Sequence, residues 1–307
     1  MSATPEFKAA WLAPRYWPTW LAGGLMWLLA HLPYRVQMAI GSLIGRLAYR
    51  LAGKRRLIAR KNLAQAFPDL NRSQLENLVK EVFRENAKAI PETCVAWFGG
   101  PERLNVTWQV TGQAYAEQAL ASGKGVLFVA AHFACVDLCG AYAGSLVKAD
   151  ALHRPHNNPL MNYFQHRGRL RFVDNLVDRK DMRQMVRRLR QGRGIFYAPD
   201  QDLGRKRSLF VPFFNTPTAT VTATSKLVSL TGAEVLLFLT RRTASGYELV
   251  FEPAPQLSTG DEEQDLTNYN AWLEARIRET PSQYLWLHKR FKTRPRGEPP
   301  FYGVKGK

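Results

Sequence analysis

Residues 124–140 read KGVLFVAAHFACVDLCG. Following a Gly-Lys-Gly turn, Gly125–Ala131 is a short apolar run whose Val, Leu and Phe content suits a buried strand. The run stops at His132. Beyond it Val136, Leu138, Cys139, Tyr142, Ala143 and Leu146 recur at the spacing of a helix packed on one side. His132 therefore sits where a strand hands over to a helix, a common place for reactive groups in α/β folds. Asp137 falls in the first turn of that helix, where a carboxylate suits the positive end of the dipole. Residues five apart do not share a helix face, so the two side chains meet only if His132 lies on the preceding turn. A histidine braced by a carboxylate can act as a base near neutral pH. The same spacing also describes a hydrogen-bonded, partly buried histidine beside a helix-capping acid.

The flanking pattern predicts an α/β fold, a central mixed sheet flanked by helices. Ser73 with Glu76 makes a capping box, followed by an apolar stripe from Leu75 to Ile90 that Pro91 is expected to kink or stop. Strands are expected over 106–110, 149–153, 194–199, 233–240 and 247–253. Helices are expected over 36–52, 112–122, 158–170, 219–231 and 265–280, with another marked by Met182, Met185, Val186 and Leu189. No repeat or long linker divides the chain. The organisation expected is residues 1–35 as a membrane-anchoring segment and 36–307 as a single α/β domain. Residues 16–33 are the most apolar stretch, at the lower edge of a spanning length, and Trp17, Trp20 and Trp27 resemble an interface belt. An amphipathic or core-buried helix is the alternative. Basic residues are denser after this stretch than before it, which puts the bulk of the chain on the cytoplasmic side.

Lys+Arg number 43 against 25 Asp+Glu, a net charge of +18, which favours polyanionic partners. The arginines are spread along the chain, and no nucleic-acid module accompanies them. A membrane surface with anionic lipid is therefore the expected partner and nucleic acid is not. Three cysteines, Cys94, Cys135 and Cys139, form no disulfide framework and suit a reducing compartment. His132, Cys135, Asp137 and Cys139 lack a second cluster with zinc spacing, so no metal is expected.

Four further stretches carry chemistry. RPHNNP (154–159) offers the Arg154 fork for phosphate with Asn157 and Asn158 as polar contacts, or is an ordinary turn. PDQD (199–202) follows a strand end and sets Asp200 and Asp202 beside Arg205, Lys206 and Arg207. VPFFNTPTA (211–219) could line an acyl tunnel or be core. HKRFKTRP (288–295) reads as a phosphate-facing or solvated basic patch, and the basic run after Gly53 as a headgroup contact or a solvated helix face.

Taken in order, NLAQAFP, HFACVD, RPHNNP, PDQDLG, VPFFNTPTA and HKRFKTRP resemble the lipid A late acyltransferases, of lauroyl and myristoyl type, within the H-x-x-x-x-D acyltransferase superfamily. The resemblance runs from about residue 20 to about residue 297. It implies transfer of a fatty acyl chain from acyl carrier protein, as co-substrate and with no cofactor, to a hydroxyl of a Kdo-bearing lipid A precursor. It implies the cytoplasmic face of a bacterial inner membrane as the place. It carries His132 and Asp137 as the catalytic pair, with Asp137 orienting His132. Arg154, Asn157, Asn158, Asp200 and Asp202 are the implied substrate-binding residues. Many members have Glu at the position of Asp137. The phospholipid branch typically has E-G-T-R where this chain has PDQD, which counts against a glycerophosphate acceptor. A lysophospholipid, ornithine lipid or glycolipid acceptor is the nearer alternative, and a non-catalytic basic membrane or nucleic-acid-binding protein the more distant one.

Overall fold

The computed structural model describes residues 6–303. The outermost parts of the two expected segments, 1–5 and 304–307, lie outside the described residues. The strands are β1 (Thr107–Thr111), β2 (Val126–Ala130), β3 (Ala149–His153), β4 (Leu176–Asp178), β5 (Gly194–Tyr197), β6 (Ser208–Phe213), β7 (Thr216–Val221), β8 (Glu234–Arg242) and β9 (Gly246–Pro253). The helices are α1 (Trp17–His31), α2 (Tyr34–Leu51), α3 (Gly53–Ala66), α4 (Arg72–Cys94), α5 (Gln113–Ala121), α6 (Val136–Leu146), α7 (Pro159–Arg169), α8 (Met182–Arg190), α9 (Ala223–Thr231) and α10 (Glu262–Glu279). Seven strands form one mixed sheet in the order β1-β9-β8-β2-β5-β3-β4. The block from β8 to β4 is parallel throughout, β9 runs antiparallel to β8, and β1 is parallel to β9.

Every residue of β2 is buried, as its unbroken apolar run requires of a strand covered on both faces. Its side chains alternate between two cores. Leu127 and Val129 join Ile195, Leu237 and residues of α3, α4, α8, α9 and α10. Val126, Phe128 and Ala130 join Leu236, Phe238, Tyr247 and residues of α5 and α6. The expected sheet flanked by helices is thus the architecture observed.

Some local expectations are corrected. The capping box that starts α4 is Asn71 with Gln74, two residues ahead of Ser73 and Glu76; Glu76 instead pairs with Arg60. Pro91 does not stop α4, which continues to Cys94 and closes with a π turn over Val95–Gly99. The next residue, Glu92, is buried in an ion pair that holds the helix end against the sheet. The helix expected over 219–231 begins only at Ala223, because Thr216, Thr218 and Thr220 are buried on one side of β7. VPFFNTPTA is the β6–β7 hairpin, turned at Phe214 and Asn215, both with positive φ. Phe213 and Phe214 pack in the core, so this segment's aromatic pair lines no tunnel. In HKRFKTRP, Arg290 is buried and donates to the Ala219 carbonyl at 2.8 Å and Thr220 Oγ1 at 3.2 Å, so it is neither solvated nor free for phosphate.

Among the described residues no helix is long and apolar enough to cross a membrane. One side of α1 meets α4 and α7, with Gly23 closely approached by Phe164. Trp17, Leu21, Leu25, Trp27 and Leu28 of α1 and Leu43, Leu47 and Leu51 of α2 remain exposed.

A buried ionic network ties α4 to the strands. Arg242 on β8 donates from Nε and Nη2 to the two Glu92 oxygens, each at 2.8 Å, and from Nη1 to Glu85. Tyr247 of β9 donates to Glu92 Oε1 at 2.7 Å. Truncating the cation leaves a buried carboxylate unpaired, so Arg242→Ala should destabilise the protein by about 3–5 kcal/mol. The measurement is urea unfolding followed by circular dichroism; an unchanged midpoint refutes the assignment.

Candidate active site

The carboxyl ends of β2 and β5 meet at the centre of the sheet. Their parallel register pairs Val126 with Gly194 and Val129 with Tyr197. Carried three residues past that last pair, the same offset sets His132 beside Asp200. The contact is direct: His132 Nδ1 lies 2.5 Å from Asp200 Oδ1, and the His132 amide donates to Asp200 Oδ2 at 3.0 Å. An ionised carboxylate only accepts, so Nδ1 carries the proton and Nε2 is left with its lone pair. The segment around Tyr284 pins the turn from the other side. Leu285 N–H donates to the His132 carbonyl at 3.1 Å, and Ala134 N–H to the Gln283 carbonyl at 2.8 Å.

Asp200 is buried, whereas the His132 side chain keeps 32% of its surface exposed. Burial alone would raise the Asp200 carboxyl. The charge and hydrogen bonds of His132, with Arg290 behind, instead hold it down at about 2. For His132 burial works to lower the imidazole, and the Asp200 charge and hydrogen bond overcome it, so its pKa is raised above the ordinary histidine value.

The expected His132–Asp137 pairing is therefore corrected: the residue that orients the imidazole is Asp200. Asp137 does sit in the first turn of α6, but its carboxylate accepts from Arg169 at the end of α7 and from Thr93 Oγ1 at 3.3 Å. Strand-to-helix geometry explains the change. The turn aims His132 along the sheet toward β5, while the first turn of α6 faces α7.

His132, Asp137, Arg169 and Arg154 all line one cleft of about 930 Å³. One part, between α6 and the sheet, has Val136, Gly140, Ala141, Phe172, Phe196 and Phe238 in its walls. The rest carries Arg179, Lys180, Lys206, Arg207 and Lys226 with Met182 and Met185. Such a cleft can seat both a chain of methylenes and an anionic group beside one imidazole. Among the described residues no group of His, Cys, Asp and Glu could hold a metal ion.

The other residues expected to bind substrate divide. Arg154 is exposed at the cleft, just past β3. Asn157 is exposed and does not line the cleft. Asn158 is the N-cap of α7: its Oδ1 accepts from Leu160 and Met161 N–H, and its amide donates to Thr19 Oγ1 at 2.8 Å. Asp202 is buried and used as a tie, accepting from Thr293 N–H at 2.6 Å, Thr293 Oγ1 at 2.8 Å and Gly204 N–H at 2.9 Å. The two acids of PDQD thus do different work, one on the histidine and one on the loop that carries it. Arg169 was not legible as a site residue; only its place among the basic residues closing α7 hinted at it.

A family model described as bacterial lipid A biosynthesis acyltransferase matches residues 4–293. The chain is 39% identical over 300 residues to the lipid A biosynthesis palmitoleoyltransferase of Escherichia coli (strain K12), covering 97% of this chain and 98% of that protein. It is 37% identical over 308 residues to the lipid A biosynthesis lauroyltransferase of the same organism, covering 98% and 100%. It is 31% identical over 301 residues to the myristoyltransferase, covering 96% and 93%.

The Asp200 contact makes a prediction that needs no assay of turnover. Asp200→Asn removes the charge that raises the His132 pKa, so the imidazole should titrate at lower pH than in the wild type. Side-chain NMR titration reads this directly, and an unmoved His132 pKa overturns the pairing.

Proposed function

The chain belongs to the bacterial lipid A biosynthesis acyltransferases and is an acyltransferase, and from that premise we propose that it moves a fatty acyl group from acyl carrier protein to a hydroxyl of a Kdo-bearing lipid A precursor, with His132 as general base. The observation that carries this reading is a partly exposed imidazole, held through Nδ1 by a buried carboxylate, in a cleft lined by both apolar and basic side chains. As the acceptor oxygen attacks the thioester carbonyl carbon, its proton passes to His132 Nε2. Collapse of the tetrahedral centre breaks the C–S bond, and the imidazolium returns the proton to the departing thiolate. Asp200 keeps Nδ1 protonated and stabilises the imidazolium in between. Such general-base help is worth about 10²–10⁴-fold in rate.

Arg154 and the basic wall suit the phosphates of the acceptor, and Asp137 acts as a positioning residue that aims Arg169 into the cleft. The exposed apolar side chains of α1 and α2 suit contact with the inner membrane at its cytoplasmic face, with the helices lying on the surface. The net charge of +18 favours both acidic partners, carrier protein and lipid.

Three outcomes follow. His132→Ala should lower transfer about 10²–10⁴-fold while leaving the unfolding midpoint close to wild type; near-normal turnover removes the base. Because only neutral imidazole accepts the proton, kcat/KM should rise with pH through the raised His132 pKa. Asp200→Asn should shift that limb downward and lower the plateau, whereas Asp137→Asn, whose charge adds less to the raised His132 pKa, should raise the KM for acceptor and shift the limb down by less. Offering the purified enzyme lipid A precursor and lysophospholipid together, and weighing the products, decides the acceptor; product on the lysophospholipid alone refutes the assignment.

A further inference from the structure

Gly140 is the one position on α6 where the wall beside His132 could carry a side chain and carries none. A Cβ built at Gly140 meets nothing within 4 Å, although the residue is half-buried and lines the cleft. The space it faces is therefore cleft, not solvent-exposed helix surface. One turn further along α6, the same construction at Gly144 overlaps the Phe172 carbonyl oxygen, so the chain after α7 is pressed against the helix there. Phe172 lines the cleft, whereas no residue of α6 beyond Ala141 does, so the cleft follows the helix only as far as this closure. Phe196 and Phe238 form its floor, with ring centroids 5.1 Å apart, and Ala141 lies beside Gly140 in the wall. From Val136 to Gly144 the helix advances about 12 Å, the scale of a medium-length acyl chain.

We infer that Gly140 sets the length of the donor acyl chain that this enzyme accepts. The inference rests on the acyl-transfer reading above and assigns the chamber between α6 and the sheet to the donor's hydrocarbon tail. With the thioester carbonyl at His132, the tail runs along α6, past Gly140, toward the Phe172 closure. Glycine at this position keeps the passage open. Any side chain there narrows it between His132 and the closure, so the methylenes beyond lose their seat while those before keep theirs. Arg154 and the basic side chains that follow β4 and β5 line the rest of the same cleft, which leaves them to the anionic acceptor.

The experiment compares wild type with Gly140→Ala, Gly140→Val and Gly140→Leu, using decanoyl-, lauroyl-, myristoyl- and palmitoyl-acyl carrier protein. The expected result is a graded change in preference: the kcat/KM ratio of the shorter donors to the longer rises with side-chain size, by about tenfold or more for each methylene displaced. The acceptor KM should stay close to wild type. Gly140→Ala should unfold at the same temperature as wild type or higher, since alanine is favoured over glycine within a helix and meets no neighbour here. A donor profile that keeps its shape across the series overturns the inference, as does an acceptor KM that rises while the profile stays fixed, or a lowered midpoint for Gly140→Ala. Wild type that transfers no acyl chain from any of the four donors refutes the acyl-transfer reading itself, a result distinct from these.

Discussion

The structure depends on a buried carboxylate. Asp200 is held out of water at the end of β5, and an ionised acid there is tolerated only where hydrogen bonds and opposite charge offset its desolvation. His132 supplies two of those contacts, one from its ring and one from its backbone amide. Both strands must therefore be in register for the acid to remain charged. The His132–Asp200 pair and the centre of the sheet are in this sense one object. A slip between β2 and β5 would strand the carboxylate and release the imidazole together.

The surroundings reinforce that arrangement from the C-terminal part of the chain. Leu285 holds the His132 carbonyl, Arg290 is buried nearby, and Thr293 ties down Asp202 two residues beyond Asp200. Residues more than 80 positions downstream thus brace both loops of the site. The acceptors they satisfy are of both kinds, the His132 and Ala219 carbonyls on the backbone and the Asp202 carboxylate and Thr220 hydroxyl among the side chains.

The cleft then brings two kinds of lining to one imidazole. On the α6 side the sheet contributes aromatic rings and the helix contributes glycine and alanine; on the other side lie arginines and lysines above two methionines. Burial favours apolar groups against the aromatic walls, while anions gain from the charged side chains, so the lining offers both kinds of environment. Aliphatic side chains of α1 and α2 and two tryptophans of α1 add a further exposed apolar face.

Much of this was readable along the chain. An unbroken apolar run followed by helical periodicity placed β2, His132 and α6, because strand and helix each impose a period that side chains reveal locally. Motif order was enough to reach the family and to point to Asp200, though as a substrate-binding residue and not as the partner of His132. What local pattern could not determine was partnership. His132 and Asp137 are five residues apart and read as a pair; His132 and Asp200 are 68 apart and are the pair. Separation along the chain carries no information about which strand lies beside which, and only the packed sheet set β5 next to β2 at the offset that joins them. The same holds for Asp202 and Asn158, whose polar side chains suited a ligand on paper and are spent on backbone and cap. Residue types and their spacing determined the elements and the chemistry available. Tertiary structure decided which acid meets the base, because a hydrogen bond depends on distance in space and not on distance in sequence.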